Sequence, residues 1–466
     1  MIRRLTQLHE NERLVAAAQT LPGRLALWAV AAALLVWHGT HVLLLAALTL
    51  VVLDPTHKRA ALSLAAVGLV AHLIAKHAAI DLGSLAALRS TTSPQWLLFT
   101  LGVLGALAVL CLLVLAVTRI ERWPAIARRY AVLLVHAAIW GLLALSTVPA
   151  YAALAGVGVL AWRLSYLAKL GQRGKAAGTK LRDHLFYLVP VFGGGDTPHG
   201  KGLELLSRFE ARNPEAFART QLAGLKLLLL AILWIQVDAW MDRFFFGQTI
   251  DGMDPPGLAD MLMVDLGFPW YHRWQLLYLD LVRNTLELAI AGHVVVGSLR
   301  LLGFNVFRNT YKPLLAESVV DFWSRYYFYF KELLVDFFFY PTYLRLRSTP
   351  LPLRLFAATF AAACLGNVYY HVLFEPEPVL YLDFQRAWAM WGPRFVYCAL
   401  LAFGIWVSML RQRQQRRASA PPSLPVRLRR IAGVLTFYAM IQIWNVRVEG
   451  VGNHERLEFF LSLFRP

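Results

Sequence analysis

The amino-acid sequence predicts an all-α polytopic membrane protein with roughly nine to eleven transmembrane helices, together with re-entrant or interfacial helices. The first observation is compositional. Of the 466 residues, 58% are hydrophobic and only 16% are charged, whereas an ordinary soluble domain has about 25% charged residues. The second is that the apolar residues gather in runs of about 20, the length that a helix needs to cross a bilayer.

The net charge of +18 has the distribution expected of membrane-protein loops. The basic residues cluster between the apolar runs, as they do on the cytoplasmic side of a membrane. Alternating basic and aromatic residues, which stack nucleic-acid bases, do not occur, so we expect membrane lipid and no nucleic acid as a partner. The excess of Arg over Lys favours a bacterial protein, and hence the bacterial inner membrane.

The apolar runs predict the spans in chain order. The run 25–53 is interrupted at 38–41, so it forms one long helix or two short ones. Pro149 is expected to break the run 131–160, which is too long for a single straight span. The other predicted spans are 60–80, 96–118, 222–240, 276–302, 355–373, 395–410 and 431–444.

The charges of the loops predict the orientation of the second half of the chain. The arginine-rich loop 411–430 marks the cytoplasmic side. Because each span crosses the membrane once, the preceding loops are expected on alternating sides: 375–383 outside, 345–354 inside, 251–265 outside and 201–219 inside.

Two segments fit neither a span nor an ordinary loop. Residues 186–195 are apolar but too short to cross, and they end in three glycines, which favours a re-entrant element. Residues 318–343, called the aromatic segment below, combine many aromatic side chains with charged ones. This segment is either an interfacial amphipathic helix with an aromatic belt or a helix that packs its charges inward over a catalytic cavity.

The aromatic segment resembles the signature of the membrane-bound O-acyltransferase (MBOAT) family. In the bacterial alginate-acetylation and teichoic-acid D-alanylation branch, Phe-Trp-Arg-Arg-Trp-His is followed after a spacer by Arg-Asp-Tyr-Leu-Tyr-Ile-Pro. Five residues of this chain match in register without a gap: Phe322, Trp323, Arg325, Asp336 and Pro341.

The second hallmark of the family is a histidine inside the following apolar helix. Residues 365–371 read Leu-Gly-Asn-Val-Tyr-Tyr-His, so His371 takes the position of that histidine and Tyr370 that of the preceding aromatic residue. More loosely, 161–169 and 186–198 are similar to upstream family segments. The resemblance therefore implies N-terminal transmembrane helices in 1–160, an MBOAT-like catalytic core in 161–410, and in 411–466 a basic cytoplasmic loop, the last span and a tail.

The resemblance implies transfer of an acyl group, such as acetyl, from a thioester donor to a hydroxyl of a cell-envelope glycan or related acceptor. His371 would be the general base, because an imidazole ordinarily titrates near neutral pH. Asn367, one turn earlier on the same face, would orient the imidazole or donate to an oxyanion, and the Tyr327 hydroxyl would donate as well. Substrate or donor binding is expected from Arg325, Asp321, Trp323, Tyr370 and Asp336. Packing alternatives stay open, above all an ion pair between Arg325 and Asp321.

No bound cofactor and no metal are expected. Acyl-coenzyme A or an acyl-carrier protein is the expected donor substrate, and accessory envelope-biosynthesis proteins are further candidate partners. The cysteines Cys111, Cys364 and Cys398 lie inside apolar runs without metal-ligand spacing, which predicts buried thiols and no disulfide.

Two alternatives of different class stay open. A multi-pass transporter or channel would account for ionisable residues inside predicted spans, such as Glu287 and His293. A catalytically degenerate scaffold of an envelope-polymer assembly complex would account for Tyr327, where many family members have histidine, and for Ser324, which replaces an arginine.

Overall fold

The computed structural model describes residues 7–37, 42–61, 115–117, 119–145, 151–173, 202–246, 257–263, 269–415 and 422–465. Within these ranges the chain forms helices and no β-strand, and one isolated bridge pairs Glu210 with Phe304. The predicted all-α class is therefore confirmed for the described part of the chain.

Three helices among the described residues are long and apolar enough to cross a membrane: Pro214–Phe245, Leu351–Phe374 and Phe384–Arg413. The pair Glu12–Gln19 and Leu21–Trp37, bent by 103°, makes a fourth if it forms one broken span. The chain is thus a membrane protein. The larger number of spans that the sequence suggests stays a prediction.

The chain divides into two compact units, one made of Met1–Leu229 with Val294–Phe307 and the other of Leu230–His293 with Arg308–Pro466. All eight candidate site residues belong to the second unit. The division at residues 160 and 410 suggested by the resemblance stays a prediction.

The first unit begins with a series of helices. Pro149, the predicted helix breaker, lies outside the described residues, in the stretch 146–150 between two helices. The predicted spans 60–80 and 96–118 and the re-entrant candidate 186–195 also lie wholly or mostly outside the described residues. The helices are α1 (Glu12–Gln19), α2 (Leu21–Trp37), α3 (Val42–Leu53), α4 (Ala125–Arg129), α5 (Ala131–Leu145), α6 (Tyr151–Gln172) and α7 (Gly202–Phe209), with 3₁₀ turns at Leu8–Glu10, Pro55–His57 and Ile120–Arg122.

Two long helices contribute residues to both units. Helix α8 (Pro214–Met241) continues into a π-helical turn at Asp242–Phe246, α9 (Leu258–Met263) is short, and α10 spans Trp270–Leu301. In the first unit, α8 and α10 approach closely at two glycines, since a Cβ built on Gly224 would lie 2.7 Å from the Gly297 carbonyl oxygen. Small residues permit such close helix packing in membranes.

The second unit contains the aromatic segment and the two most apolar helices that follow it. Leu351–Phe374 forms one continuous helical stretch, which we call the histidine helix. The elements are α11 (Val319–Tyr326), α12 (Phe328–Leu334), a π turn (Val335–Phe339), α13 (Tyr340–Arg345), α14 (Leu351–Phe360), a second π turn (Ala361–Gly366), α15 (Asn367–Phe374), α16 (Glu377–Leu380), α17 (Phe384–Gln415), α18 (Leu424–Ile441) and α19 (Asn453–Ser462), with 3₁₀ turns at Pro313–Leu315 and Gln442–Trp444.

Capping and buried polar contacts fix the ends of these helices. Asp383 precedes α17, and its carboxylate accepts the backbone N–H of Arg386 at 2.9 Å, which satisfies one of the free amides at a helix start. Near the C-terminus, the Arg456 side chain is only 2% exposed. Its guanidinium donates to the carbonyls of Ile443 and Val451, so α19 is tied to the 3₁₀ turn that follows α18.

Candidate active site

The aromatic segment is broken at Tyr327, so it is not one continuous amphipathic helix. Tyr327 has φ −143° and ψ 68°, outside the helical region. Asn309, 1% exposed, accepts two backbone N–H groups just after the break: that of Phe328 on its carbonyl at 3.0 Å and that of Tyr329 on its side-chain oxygen at 3.2 Å. The break thus has satisfied backbone groups and separates α11 from α12.

The ring of Phe330 joins the two parts of the family-like signature. Phe330 is 3% exposed and lies 4.7 Å from Tyr370 and 6.4 Å from His371, measured between ring centroids. On its own segment, it lies 5.2 Å from Tyr327 and 6.1 Å from Trp323. Four of the eight candidate residues therefore pack around one buried ring that the motif comparison did not single out.

A second contact between the two segments involves Phe338 and Gly366. A Cβ built on Gly366 would lie 2.6 Å from Cδ2 of Phe338, so only glycine leaves room for this ring. Gly366 ends the π turn of the histidine helix and directly precedes Asn367, which is 3% exposed. The aromatic segment therefore packs along the same helix that carries His371, at two places.

His371 has a charged hydrogen-bond partner on α17. Nη1 of Arg394, in α17, lies 2.7 Å from Nε2 of His371. The guanidinium has donors and no acceptor, so Nε2 accepts the hydrogen bond, and the imidazole is neutral with its proton on Nδ1. Nη2 of Arg394 donates to the carbonyl of Asn445 at 3.4 Å.

Sequence reasoning missed Arg394. It follows Gly392 and Pro393 and directly precedes the predicted span 395–410. The helix instead begins at Phe384 and runs through Pro393, which places Arg394 inside it. The available signal was an arginine between a proline and an apolar run, a cation expensive to place within a membrane helix.

An ion pair lies close to this pair of residues. Glu375 directly follows the histidine helix, and both of its carboxylate oxygens accept hydrogen bonds from Arg447, with Nη1 at 2.6 Å from Oε1. These hydrogen bonds raise the pKa of Arg447 above its usual value. The Glu375 carboxylate is therefore committed to Arg447.

The remaining candidate residues, Asp321, Arg325 and Asp336, lie on the aromatic segment. Nε of Arg325 donates to Oδ1 of Asp321 at 2.9 Å, so the ion pair expected from their spacing is confirmed. Asp336 lies half-buried in the π turn Val335–Phe339. Binding of a donor or acceptor by any of these three side chains stays a prediction.

The expected state of the cysteines is confirmed where the structure describes it. Cys364 and Cys398 are free and buried, and Cys111 lies outside the described residues. His293, in the predicted span 276–302, bonds through Nδ1 to the carbonyl of Ala289 on its own helix, as expected for a packed side chain.

Comparison of the chain with models of protein families finds no match, and comparison with curated proteins finds no match.

Proposed function

We propose that the protein is a membrane-bound O-acyltransferase of a bacterial inner membrane, with His371 as general base. The observation that supports the proposal is the packing around Phe330. Two sequence segments that resemble separate MBOAT signatures lie next to each other, with His371 and Tyr370 against the ring of Phe330. Such a meeting of the two signatures is expected of a shared site and is not required by the amphipathic pattern of either segment.

The proposed reaction moves an acyl group, such as acetyl, from a thioester to a hydroxyl. The hydroxyl oxygen attacks the thioester carbonyl carbon while Nε2 of His371 takes the hydroxyl proton. The tetrahedral intermediate then collapses, the carbon–sulfur bond breaks, and the imidazolium returns the proton to the thiolate. An ester and a thiol result, without a covalent acyl-enzyme intermediate.

The acyl donor is acyl-coenzyme A or an acyl-carrier protein, and the acceptor is a hydroxyl of a cell-envelope glycan or a related molecule. Donor and acceptor reach the site from opposite membrane sides, or the acceptor arrives within the bilayer. Asn367, one turn before His371 on a buried face, is placed to assist the imidazole or the oxyanion.

The first test is an assay with purified full-length protein in detergent and radiolabelled acetyl-coenzyme A, followed by transfer to an envelope extract. Loss of a general base typically lowers a rate by about 10²–10⁴-fold, and we expect this loss for His371→Gln. Glutamine keeps an acceptor for Arg394, so the variant preserves that hydrogen bond. The matched control is His454→Gln, at a histidine side chain 78% exposed on α19.

Full activity of His371→Gln would rule out this histidine as the base. If wild-type protein shows no turnover with acetyl-coenzyme A, the same comparison is repeated with acetylated acyl-carrier protein. Absence of turnover with both donors contradicts the proposed reaction for an acetyl group.

A second candidate function is a catalytically degenerate scaffold in an envelope-polymer assembly complex. The hydrogen bond from Arg394 favours it, because the lone pair that a base needs is already occupied in the structure. The scaffold function predicts that partner proteins copurify equally with wild-type protein and with His371→Gln, while neither form transfers an acyl group.

A further inference from the structure

The Arg394–His371 pair has the geometry of a masked base. Nε2 of His371 accepts from Arg394 at 2.7 Å, and a nitrogen whose lone pair is used in this way does not take a proton from a hydroxyl. The proposed acyl transfer therefore needs a structural change, in which the guanidinium leaves Nε2 before the hydroxyl reacts.

The guanidinium of Arg394 has only neutral hydrogen-bond partners among the described residues. Among the described residues, no carboxylate lies within the 4.0 Å ion-pair distance of Arg394, and Glu375 is held by Arg447. The partners of Arg394 are a neutral imidazole and a backbone carbonyl. Its positive charge thus lacks a bound counter-ion in the described part of the protein.

A guanidinium bonds more strongly to an oxyanion than to neutral acceptors. Hydrogen bonds between ionised partners are roughly twice as strong as neutral ones, and a carboxylate or phosphate accepts two parallel N–H groups from the guanidinium fork. An oxyanion near Arg394 would therefore compete with His371 for the same donor. It would form the stronger hydrogen bonds, because it is charged and accepts two N–H groups at once.

We infer that Arg394 masks His371 in the free protein and that an oxyanion on a substrate, a phosphate or a carboxylate, unmasks it by binding Arg394. The inference rests on the proposed function and adds a substrate class to it: the acceptor carries an anionic group, a phosphate or a carboxylate, close to its reacting hydroxyl. Binding of that substrate and release of the base are then one event, so the base is not exposed to water before the substrate is present. Arg394 thus contacts the substrate and controls whether Nε2 of His371 is free to accept a proton.

The test measures the reactivity of His371 directly, without acyl transfer. Diethylpyrocarbonate modifies the free nitrogen of a neutral imidazole, and peptide mass spectrometry gives the rate at each histidine of full-length protein in detergent at neutral pH. Chloride at constant ionic strength is the reference. Inorganic phosphate stands for a phosphate of the acceptor and acetate for a carboxylate of the acceptor. Both ions are too small to shield the imidazole.

We expect slow modification of His371 in chloride and a saturable increase of about tenfold in one of the two oxyanions. The oxyanion that acts identifies the anionic group of the acceptor as a phosphate or a carboxylate. The exposed His454 provides an internal reference whose rate should stay constant. If neither phosphate nor acetate changes the rate at His371, the inference is overturned.

In the variant Arg394→Met, diethylpyrocarbonate should modify His371 rapidly in chloride, and oxyanions should no longer change this rate. Its matched control is Arg386→Met, an exposed arginine on the same helix, which should behave as wild type. Equal rates at His371 in wild type and in Arg394→Met overturn the masking, and the wild-type oxyanion titration decides the question if Arg394→Met does not fold. Because no turnover is measured, failure of the acyltransferase proposal and failure of the masking give different results.

Discussion

Replacement of Gly366 by alanine tests whether the aromatic segment packs on the histidine helix as described. The new Cβ would lie 2.6, 2.8 and 2.9 Å from three ring carbons of Phe338. Carbon atoms prefer separations of about 3.5–4.0 Å, so the ring has to retreat by about 1 Å in a packed interior. Over-packing of this kind costs about 1–3 kcal/mol.

A second glycine provides the matched control. Gly433, in α18, has no atom within 4 Å of a Cβ built on it. Alanine in a helix is about 1 kcal/mol more favourable than glycine, so Gly433→Ala should stabilise the protein slightly. Gly366→Ala has the same gain in helix propensity, but it also has the cost of over-packing against Phe338. The free energy of unfolding of Gly366→Ala should therefore be about 1–3 kcal/mol lower than that of Gly433→Ala.

The assay is a thermal scan in detergent with a thiol-reactive fluorophore. In a Cys111→Ser background, the remaining thiols Cys364 and Cys398 are buried and become reactive when the second unit opens, so the midpoint reports on the part of the chain that contains Gly366. We expect the midpoint of Gly366→Ala to lie several degrees below that of Gly433→Ala. Equal midpoints for the two variants would show that Phe338 does not lie against Gly366. The aromatic segment would then lack this second contact with the histidine helix.

Two further predictions concern helix ends and buried polar contacts. Arg456→Met removes the donor to the carbonyls of Ile443 and Val451 and should lower the free energy of unfolding by about 1–3 kcal/mol for each carbonyl left unpaired. The thermal midpoint measures this loss, and Arg465→Met, at an exposed arginine, is the control. Equal midpoints for the two variants would contradict the contact. Asp383→Ala removes the acceptor for the Arg386 amide at the start of α17 and should cost about 1 kcal/mol. Asp383→Ser, which keeps a capping oxygen, should restore most of that loss, and a serine variant as unstable as the alanine variant would show that capping is not the cause.

The apolar runs of the sequence predicted the helices of the second unit well, because a run of apolar residues without a breaker has one stable form in a membrane. The runs 355–373 and 395–410 correspond to helices at Leu351–Phe374 and Phe384–Gln415. The helix ends extend beyond the runs, since the capping residue Asp383 and the initial proline-containing turn at Leu351 lie in sequence of mixed polarity outside the continuous apolar runs.

The site could be predicted only in part, because two of its determining contacts join distant parts of the chain. The break at Tyr327 depends on Asn309, which precedes the aromatic segment and has no special local pattern. The partner of His371 is Arg394, 23 residues later, at a position read as the edge of a span. The types of the candidate residues follow from a motif, whereas their partners depend on tertiary packing.

The π turn at Ala361–Gly366 has a consequence for the direction in which His371 points. An α-helix turns by about 100° per residue, and a π turn holds one residue more than an α turn. The face of Asn367–Phe374 is therefore offset from that of Leu351–Phe360 by the extra residue. Loss of one residue in this turn would rotate the imidazole away from α17, whereas Leu351–Phe360 would keep its neighbours. The direction of the His371 side chain is therefore set by the π turn, independently of the surface that Leu351–Phe360 presents to its neighbours.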